Sequence, residues 1–134
     1  TLLARFQSKP CKFTLTAAKR VLRYLKGTLD YKLSYDVKPV NPNTISVYTD
    51  SDWCADVTDR KSYSGIVIFL NGAAVVFLTL KQEARALSVM EAEYYAVGDS
   101  VKSTLYIESL CTFLSAPQKE INFLLDNTAA EGFC

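Results

Sequence analysis

The first periodic segment of the chain has the pattern of an amphipathic helix. Over residues 14–26, apolar residues recur every three or four positions, and the basic residues lie off this stripe. The stripe consists of Ala17, Ala18, Val21, Leu22 and Leu25. Thr14 or Thr16 can cap such a helix, and Gly27 can end it. We therefore predict a helix over residues 14–26.

Beyond this helix the pattern changes to that of strands and loops. Residues 32–35 predict a short strand, whereas residues 37–43 predict a loop because they contain two prolines and two asparagines. Residues 44–49 alternate between β-branched and other side chains, which predicts a strand that ends at Asp50. The polar residues 51–60 predict a second loop.

A hairpin follows this loop. Residues 63–70 and 73–80 are two runs rich in β-forming residues, and Asn71-Gly72 separates them. Asn-Gly is a strong hairpin signal because both turn positions need positive φ. With the strand before Asp50, the two runs predict an antiparallel meander of three strands.

Two helices and a last strand are predicted in the remainder. Ser88 and Glu91 have the spacing of a capping box, which predicts a helix over residues 88–101. A second helix is predicted over residues 104–114. The short apolar run 121–125 is typical of a buried strand. The order of elements predicts an α/β fold whose mixed sheet combines the meander with a helix-linked parallel strand.

Composition limits the possible functions. The 134 residues are enough for one domain, and 49% of them are apolar, which suffices for a hydrophobic core. The absence of histidine excludes Ser-His-Asp and Cys-His catalysis and histidine-ligated metal sites within this sequence. No apolar run reaches the roughly 20 residues that a membrane helix needs, and the first residues lack the pattern of a signal peptide. Because the sequence does not begin with Met, we expect a fragment or a processed product.

The four cysteines are far apart and form no C-x-x-C pair. This spacing disfavours both a zinc site and a disulfide framework, and it favours reduced thiols in an intracellular protein of the cytoplasm or nucleus.

Charge is distributed unevenly along the chain. Residues 1–30 contain seven basic residues and one acid, whereas the remainder contains eight basic and thirteen acidic residues. A basic segment can contact a phosphate backbone, or it can be the solvated face of an ordinary helix. The candidate nucleic-acid-binding residues are Lys19, Arg20, Arg23, Lys26, Arg60 and Lys61.

Three carboxylates have positions that suggest chemistry. Asp50 and Asp126 each follow a predicted strand, where α/β sheets commonly place ligand groups. Glu93 lies on the apolar stripe of its predicted helix, and a buried carboxylate needs a compensating positive charge. Mg²⁺ prefers oxygen ligands and would supply that charge. A turn or cap role for each Asp, and a Glu93 side chain that reaches solvent, remain the alternatives.

Several motifs around these carboxylates resemble the ribonuclease H domain of copia-type retrotransposon polyproteins. They are Tyr48-Thr-Asp-Ser-Asp-Trp53, Asp59-Arg-Lys-Ser-Tyr-Ser-Gly65, Ala86-Leu-Ser-Val-Met-Glu-Ala-Glu-Tyr94 and Leu125-Asp-Asn127. The segment from Ala17 to Thr28 is similar to the connection between reverse transcriptase and that domain. The resemblance covers nearly the whole chain and implies two parts, a basic connection over residues 1–43 and a ribonuclease H-like domain over residues 44–134.

The resemblance also implies an activity and a set of ligands. Asp50, Glu93 and Asp126 match the three carboxylates that hold two Mg²⁺ or Mn²⁺ ions in the family, with Asp52 and Glu91 as second candidates. In the family these ions hydrolyse the RNA strand of an RNA–DNA hybrid during reverse transcription. The implied partners are the hybrid and the reverse transcriptase domain of the same polyprotein, and no membrane is implied.

The sequence departs from the family pattern in two places. The pattern continues past Asp126 with a helix, a strand, and a stretch containing His and a fourth Asp, and this sequence ends before them. Residues 75–80 also differ, because the family tends to have Trp and Ser there. We therefore expect a sheet that is incomplete at the C-terminus, with an exposed edge that a protein partner could pair with.

These departures leave three functions open. The first is an active, metal-dependent ribonuclease H. The second is a co-opted, catalytically inactive module that binds a protein or nucleic acid. The third is nucleic-acid binding through residues 1–30 alone.

Overall fold

The computed structural model of the chain describes residues 3–33, 35 and 42–125, which fall in two compact units, Thr1–Leu33 and Ser34–Cys134. The predicted boundary at residue 43, between a basic connection and a ribonuclease H-like domain, stays a prediction.

The first unit contains one long helix. A short 3₁₀ turn at Leu3–Phe6 precedes helix α1, Lys12–Gly27. The predicted helix is confirmed, but it begins two residues earlier. Thr14 lies in its first turn, where Oγ1 accepts the backbone N–H of Cys11 at 2.9 Å and donates to the Cys11 carbonyl at 2.7 Å.

The strand predicted at residues 32–35 is wrong at every position that the structure describes. Lys32, Leu33 and Tyr35 have no strand conformation, and Ser34 lies outside the described residues. A strand needs a neighbour to complete its hydrogen bonds, and no described residue pairs with this segment. Residues 37–41 of the predicted loop also lie outside the described range.

Among the described residues, the second unit is a four-stranded mixed sheet with one long helix on it. Its strands are β1 (Thr44–Asp52), β2 (Tyr63–Leu70), β3 (Ala73–Lys81) and β4 (Glu120–Leu124), in the order β3-β2-β1-β4. The first three pair antiparallel and β4 pairs parallel with β1. The predicted α/β class, the meander and the parallel strand are therefore confirmed. The arrangement is compatible with a ribonuclease H-like fold.

The predicted hairpin turn is confirmed. Asn71 and Gly72 have φ angles of 53° and 83°, as the two central positions of this turn require. Asn71 also fixes the start of β1, because its Oδ1 accepts the N–H groups of Asn43 and Thr44 at 2.7 and 3.2 Å.

The two helices predicted after the hairpin are one continuous helix. Helix α2 runs over Val89–Phe113, and Ser88 caps it by accepting the N–H of Glu91 at 3.1 Å. The predicted break near residue 102 is wrong because hydroxyl side chains bond back to the helix instead of ending it. Ser103 donates to the Asp99 carbonyl at 3.3 Å, and Thr104 donates to the Ser100 carbonyl at 2.8 Å.

Helix α2 packs on one face of the sheet, which we call the inner face. At the C-terminal half of α2 this interface is apolar, and its buried core consists of Ile45, Val47, Ile66, Ile68, Ile107 and Cys111. At the N-terminal half, small apolar residues of α2 are buried together with polar side chains, which include Ser64, Gln82, Glu93 and Ser100. A buried polar layer of this kind needs specific hydrogen bonds, which makes it the natural place to search for a site.

Candidate active site

Asp50 lies within β1 and not at its end, contrary to the prediction. The strand continues through Asp52, and Asp50 pairs in register with Gly65 of β2. The reason is the pairing itself, since Ser51 and Asp52 continue the ladder opposite Ser64 and Tyr63. The loop predicted from residue 51 accordingly starts at Trp53.

Strand alternation directs Asp50 to the outer face of the sheet, opposite α2. Residues 45, 47 and 49 of β1 are buried on the inner face, whereas Tyr48, Asp50 and Asp52 are exposed. Asp50 borders a shallow outer-face groove of about 640 Å³, lined by residues that include Tyr48, Gly65, Val67, Phe77 and Leu124. The Asp50 carboxylate is thus accessible to solvent beside an apolar surface.

Glu93 lies on the inner face, where helix α2 meets the sheet. Only 5% of its surface is exposed, as the apolar stripe of its helix predicts. Its Oε1 accepts a hydrogen bond from the hydroxyl of Ser51 at 2.8 Å. A buried carboxylate requires donors of this kind because burial without them is costly.

Ser51 connects the two carboxylates. Its hydroxyl donates to Glu93, and its backbone N–H donates to Oδ1 of Asp50 at 2.8 Å. No role was predicted for this residue, although period-two alternation after Asp50 places it on the face that Glu93 occupies. The structure therefore brings Asp50 and Glu93 to two sides of one residue.

The predicted third carboxylate, Asp126, lies outside the described residues. Within the described ranges, no three acidic or cysteine side chains come close enough together to hold a metal ion. Asp50 and Glu93 are carboxylates, the oxygen donors that Mg²⁺ and Mn²⁺ prefer, but strand alternation places them on opposite faces of the sheet. A larger carboxylate set would need Asp126.

The two second-rank acids have other positions. Glu91 accepts the N–H of Leu87 at 2.7 Å and the hydroxyl of Tyr95 at 3.2 Å, so it stabilises the start of α2. This interaction raises the pKa of the Tyr95 hydroxyl. Asp52 is exposed at the last position of β1.

The loop between β1 and β2 is built around a buried acid that the sequence reading did not single out. The side chain of Asp56 is fully buried, pairs with Lys81 and accepts the N–H of Thr58 at 3.0 Å. Asp59 also accepts from Lys81, at 2.7 Å. Hydrogen bonds to Asp56 and then to Asp59 raise the pKa of Lys81, and the bond from Lys81 lowers the pKa of Asp59.

Two further contacts fix the same loop. The indole N–H of Trp53 donates to the Ala86 carbonyl at 3.2 Å, and Ser62 Oγ accepts the N–H of Cys54 at 3.1 Å. These motif residues therefore act as a support for the end of β1 that carries Asp50. The tight loop also explains the positive φ of Arg60, 58°.

The candidate nucleic-acid-binding residues occupy two places. Arg60 and Lys61 lie on the β1–β2 loop, which leaves and rejoins the sheet at the paired residues Asp52 and Tyr63, near Asp50. The other four lie in α1. At about 100° per residue, they and Lys12 fall within an arc of about 120° on one side of the helix. No residue of α1 is buried, so these cations are exposed.

The described cysteines are not joined by disulfides. Cys11, Cys54 and Cys111 are free thiols, and Cys134 lies outside the described range. In the part of the chain that the structure covers, no helix is both long enough and apolar enough to cross a membrane.

Curated proteins similar to this chain include transposon polyproteins. The chain is 32% identical over 96% of its length to the retrovirus-related Pol polyprotein from transposon TNT 1-94 of Nicotiana tabacum, and it covers 10% of that protein. It is 33% identical over 84% of its length to the Pol polyprotein from transposon RE1 of Arabidopsis thaliana, and it covers 8% of that protein.

A shorter relative is covered more fully. The chain is 37% identical over 79% of its length to the secreted RxLR effector protein 161 of Plasmopara viticola, and it covers 73% of that protein. No family profile and no solved structure matches the chain. The sequence similarity to several transposon polyproteins and the order of strands in the sheet agree with the motifs around Asp50 and Glu93. The chain is therefore similar to a segment of the retrovirus-related Pol polyproteins of plant transposons, as its motifs predict, and it spans 8–10% of their length.

Proposed function

We propose that this chain carries a metal-dependent ribonuclease H site that hydrolyses the RNA strand of an RNA–DNA hybrid during retrotransposon reverse transcription. The observation that carries the proposal is the 32–33% identity to retrovirus-related Pol polyproteins, together with the family motifs that contain Asp50 and Glu93. Glu93 is buried and accepts a hydrogen bond from Ser51, which keeps this carboxylate beside the strand that carries Asp50.

The residues of the chain have separate roles in this proposal. Asp50 and Glu93, with Asp126, hold Mg²⁺ or Mn²⁺. When bound there, the ion polarises the scissile phosphodiester and makes a water molecule nucleophilic. Lys19, Arg20, Arg23 and Lys26 of α1, with Arg60 and Lys61, bind hybrid phosphates through their exposed positive charges.

The proposal includes the reverse transcriptase domain of a longer polyprotein as the partner that delivers the hybrid. The chain spans only 8–10% of the Pol polyproteins that it matches. In this role the chain acts inside the cell. Three cysteines without disulfides support an intracellular setting.

A cleavage assay tests the activity. Purified chain is incubated with a hybrid labelled on its RNA strand, at millimolar Mn²⁺ and at millimolar Mg²⁺. We expect RNA cleavage that chelation abolishes and that Asp50→Asn and Glu93→Gln each reduce by at least about 100-fold, comparable to the loss of one strong transition-state contact.

Glu108→Gln is the matched control for Glu93→Gln. Both substitutions remove one carboxylate from α2, but position 108 lies about 22 Å further along the helix at 1.5 Å per residue. Cleavage should survive this control. Failure of the unsubstituted chain to cleave with either metal ion would show that the isolated chain is not a competent enzyme.

A co-opted, inactive binding module is the second candidate. The effector-named relative favours it, because the similarity extends over 73% of a protein that is not named as a polyprotein. The outer face also favours it, since Tyr48 and Phe77 are 48% and 59% exposed, and β4 pairs only with β1 among the described residues. Exposed apolar surface beside an unpaired strand edge suits a protein partner. This function would persist in the Asp50→Asn/Glu93→Gln double variant.

A further inference from the structure

Strand β3 forms one edge of the sheet and has apolar side chains on both of its faces. Paired residues of antiparallel strands lie on the same face. Leu78 and Leu80 pair with Ile66 and Ser64, which are buried on the inner face. Phe77 alternates with the two leucines and therefore lies on the outer face. Because β2 is the only neighbour of β3 among the described strands, the free edge of β3 lies between two apolar surfaces.

Neither apolar surface of β3 is covered by another described element. Helix α2 packs on β1 and β2 and not on β3, so it leaves the inner face of β3 open. Leu78 and Leu80 are 36% and 37% exposed on that face, and Phe77 is 59% exposed on the outer face. Large apolar side chains exposed beside an unpaired strand edge are typical of a protein–protein contact.

The edge lacks most of the features that prevent strands of different chains from pairing. Edge strands are usually protected by proline, by exposed charges, by bulges or by short length. Strand β3 has nine residues and no proline, and its one charged residue, Lys81, is paired with Asp56 and Asp59. A bulge at Val75 interrupts the pairing with β2, which limits the regular part of the edge to residues 76–81. This regular part remains open to a further strand.

We propose that β3 is the interface between two copies of this chain. The two β3 strands pair antiparallel about a two-fold axis, so that the two sheets join into one continuous sheet. The inference goes beyond the proposed function, because the interface involves neither a metal ion nor an RNA–DNA hybrid.

A second copy fits this edge because the strand is complementary to itself. A two-fold axis perpendicular to the sheet places the inner faces of both copies on the same side, so apolar residues meet apolar residues. With the axis at Leu78, Val76 lies opposite Leu80 of the second copy, and Phe77 lies opposite Thr79 of the second copy. All five residues are uncharged, so the two strands meet without repulsion between like charges.

Sedimentation equilibrium of the intact chain in metal-free buffer tests the interface. We expect a mass near 14.9 kDa at about 1 µM and near twice that mass at about 100 µM, as for a small and reversible interface. Leu78→Lys places two lysines at the axis and should weaken the association by at least about tenfold. Leu124→Lys is the matched control, because it replaces a leucine that is 42% exposed in β4, at the opposite edge of the sheet. This control should leave the association unchanged.

Hydrogen exchange of the unsubstituted chain gives a second test, which does not depend on the folding of a variant. The amides within residues 76–80 that point away from β2 should exchange at least about threefold more slowly at about 100 µM than at about 1 µM. The amides of residues 120–124 should exchange equally at both concentrations.

Three results would overturn the inference. The first is a monomer at both concentrations, which would leave the edge to a strand of a different protein. The second is a dimer that Leu124→Lys dissociates and Leu78→Lys leaves intact. The third is equal exchange of residues 76–80 at both concentrations. None of these results depends on ribonuclease activity, so the proposed function and this interface can fail separately.

Discussion

Replacement of Asp56 by Ala should destabilise the domain more than any change at an exposed loop residue. The Asp56 side chain is fully buried in the β1–β2 loop, where it pairs with Lys81 and accepts the N–H of Thr58. A charge-assisted hydrogen bond contributes about 1.5–3 kcal/mol and a neutral one about 1 kcal/mol. Because Lys81 keeps its contact with Asp59, we expect a loss of about 3 kcal/mol in the free energy of unfolding.

Urea unfolding followed by far-ultraviolet circular dichroism measures this loss. For a domain of this size, about 3 kcal/mol also corresponds to a fall of roughly 12 °C or more in the melting temperature. Asp56→Asn is the matched variant, since it keeps the shape and an acceptor for Thr58 but removes the charge that pairs with Lys81. It should lose about half as much.

A loss below about 1 kcal/mol for Asp56→Ala would refute this account of the loop, because that is the effect of a single exposed contact. It would also mean that the motif around Asp56 does not support the end of β1. The motif would then need a direct role in binding or catalysis.

Three further predictions follow from the described contacts. Lys81 lowers the pKa of Asp59 below its ordinary 3.8, and Asp56 and Asp59 raise the pKa of Lys81 above its ordinary 10.5. The stabilisation by these three residues should therefore be fully present between pH 3.8 and pH 10.5. It should be lost as pH falls through the folded-state pKa of Asp59 or rises through that of Lys81, which pH-dependent urea midpoints would detect. Asn71→Ala should lower the free energy of unfolding in urea by about 2 kcal/mol, because Ala tolerates a positive φ poorly and cannot accept the two hydrogen bonds from Asn43 and Thr44. Asn71→Gly loses the same hydrogen bonds but tolerates the positive φ, so it should cost less. Equal losses for the two variants would contradict the part of this reasoning that concerns the backbone. The double substitution Lys19→Gln/Arg23→Gln should weaken binding of the hybrid and should reduce the slope of log binding constant against log salt concentration by about 1–2, whereas Lys102→Gln on α2 should change neither. An unchanged slope in the double variant would exclude α1 from the nucleic-acid interface.

The sheet could be predicted because its signals are local. Alternation in β1, the Asn71-Gly72 turn and the short apolar run of β4 each lie within a few consecutive residues. The burial of Glu93 could be predicted for the same reason, since the apolar stripe of a helix is visible in its own sequence. Family motifs then linked Asp50 and Glu93, which are 43 positions apart.

The element ends that were predicted incorrectly depend on pairing between distant residues and on hydrogen bonds of hydroxyl side chains. The end of β1 depends on its pairing with β2, so polar Ser51 and Asp52 remain in the strand. Thr104 reads as the start of a new helix, but its hydroxyl bonds back within α2. The buried Asp56 resembled a loop residue because its partner, Lys81, follows 25 positions later.

The central claim is that the carboxylates Asp50 and Glu93 belong to a site that binds a divalent cation. Anomalous diffraction from crystals of the chain grown with Mn²⁺ tests it most directly. The account predicts a manganese peak within about 2.2 Å of a carboxylate oxygen of Asp50 or Glu93, the distance expected for a small hard cation. Crystals that contain Mn²⁺ but show no peak at either residue would contradict it.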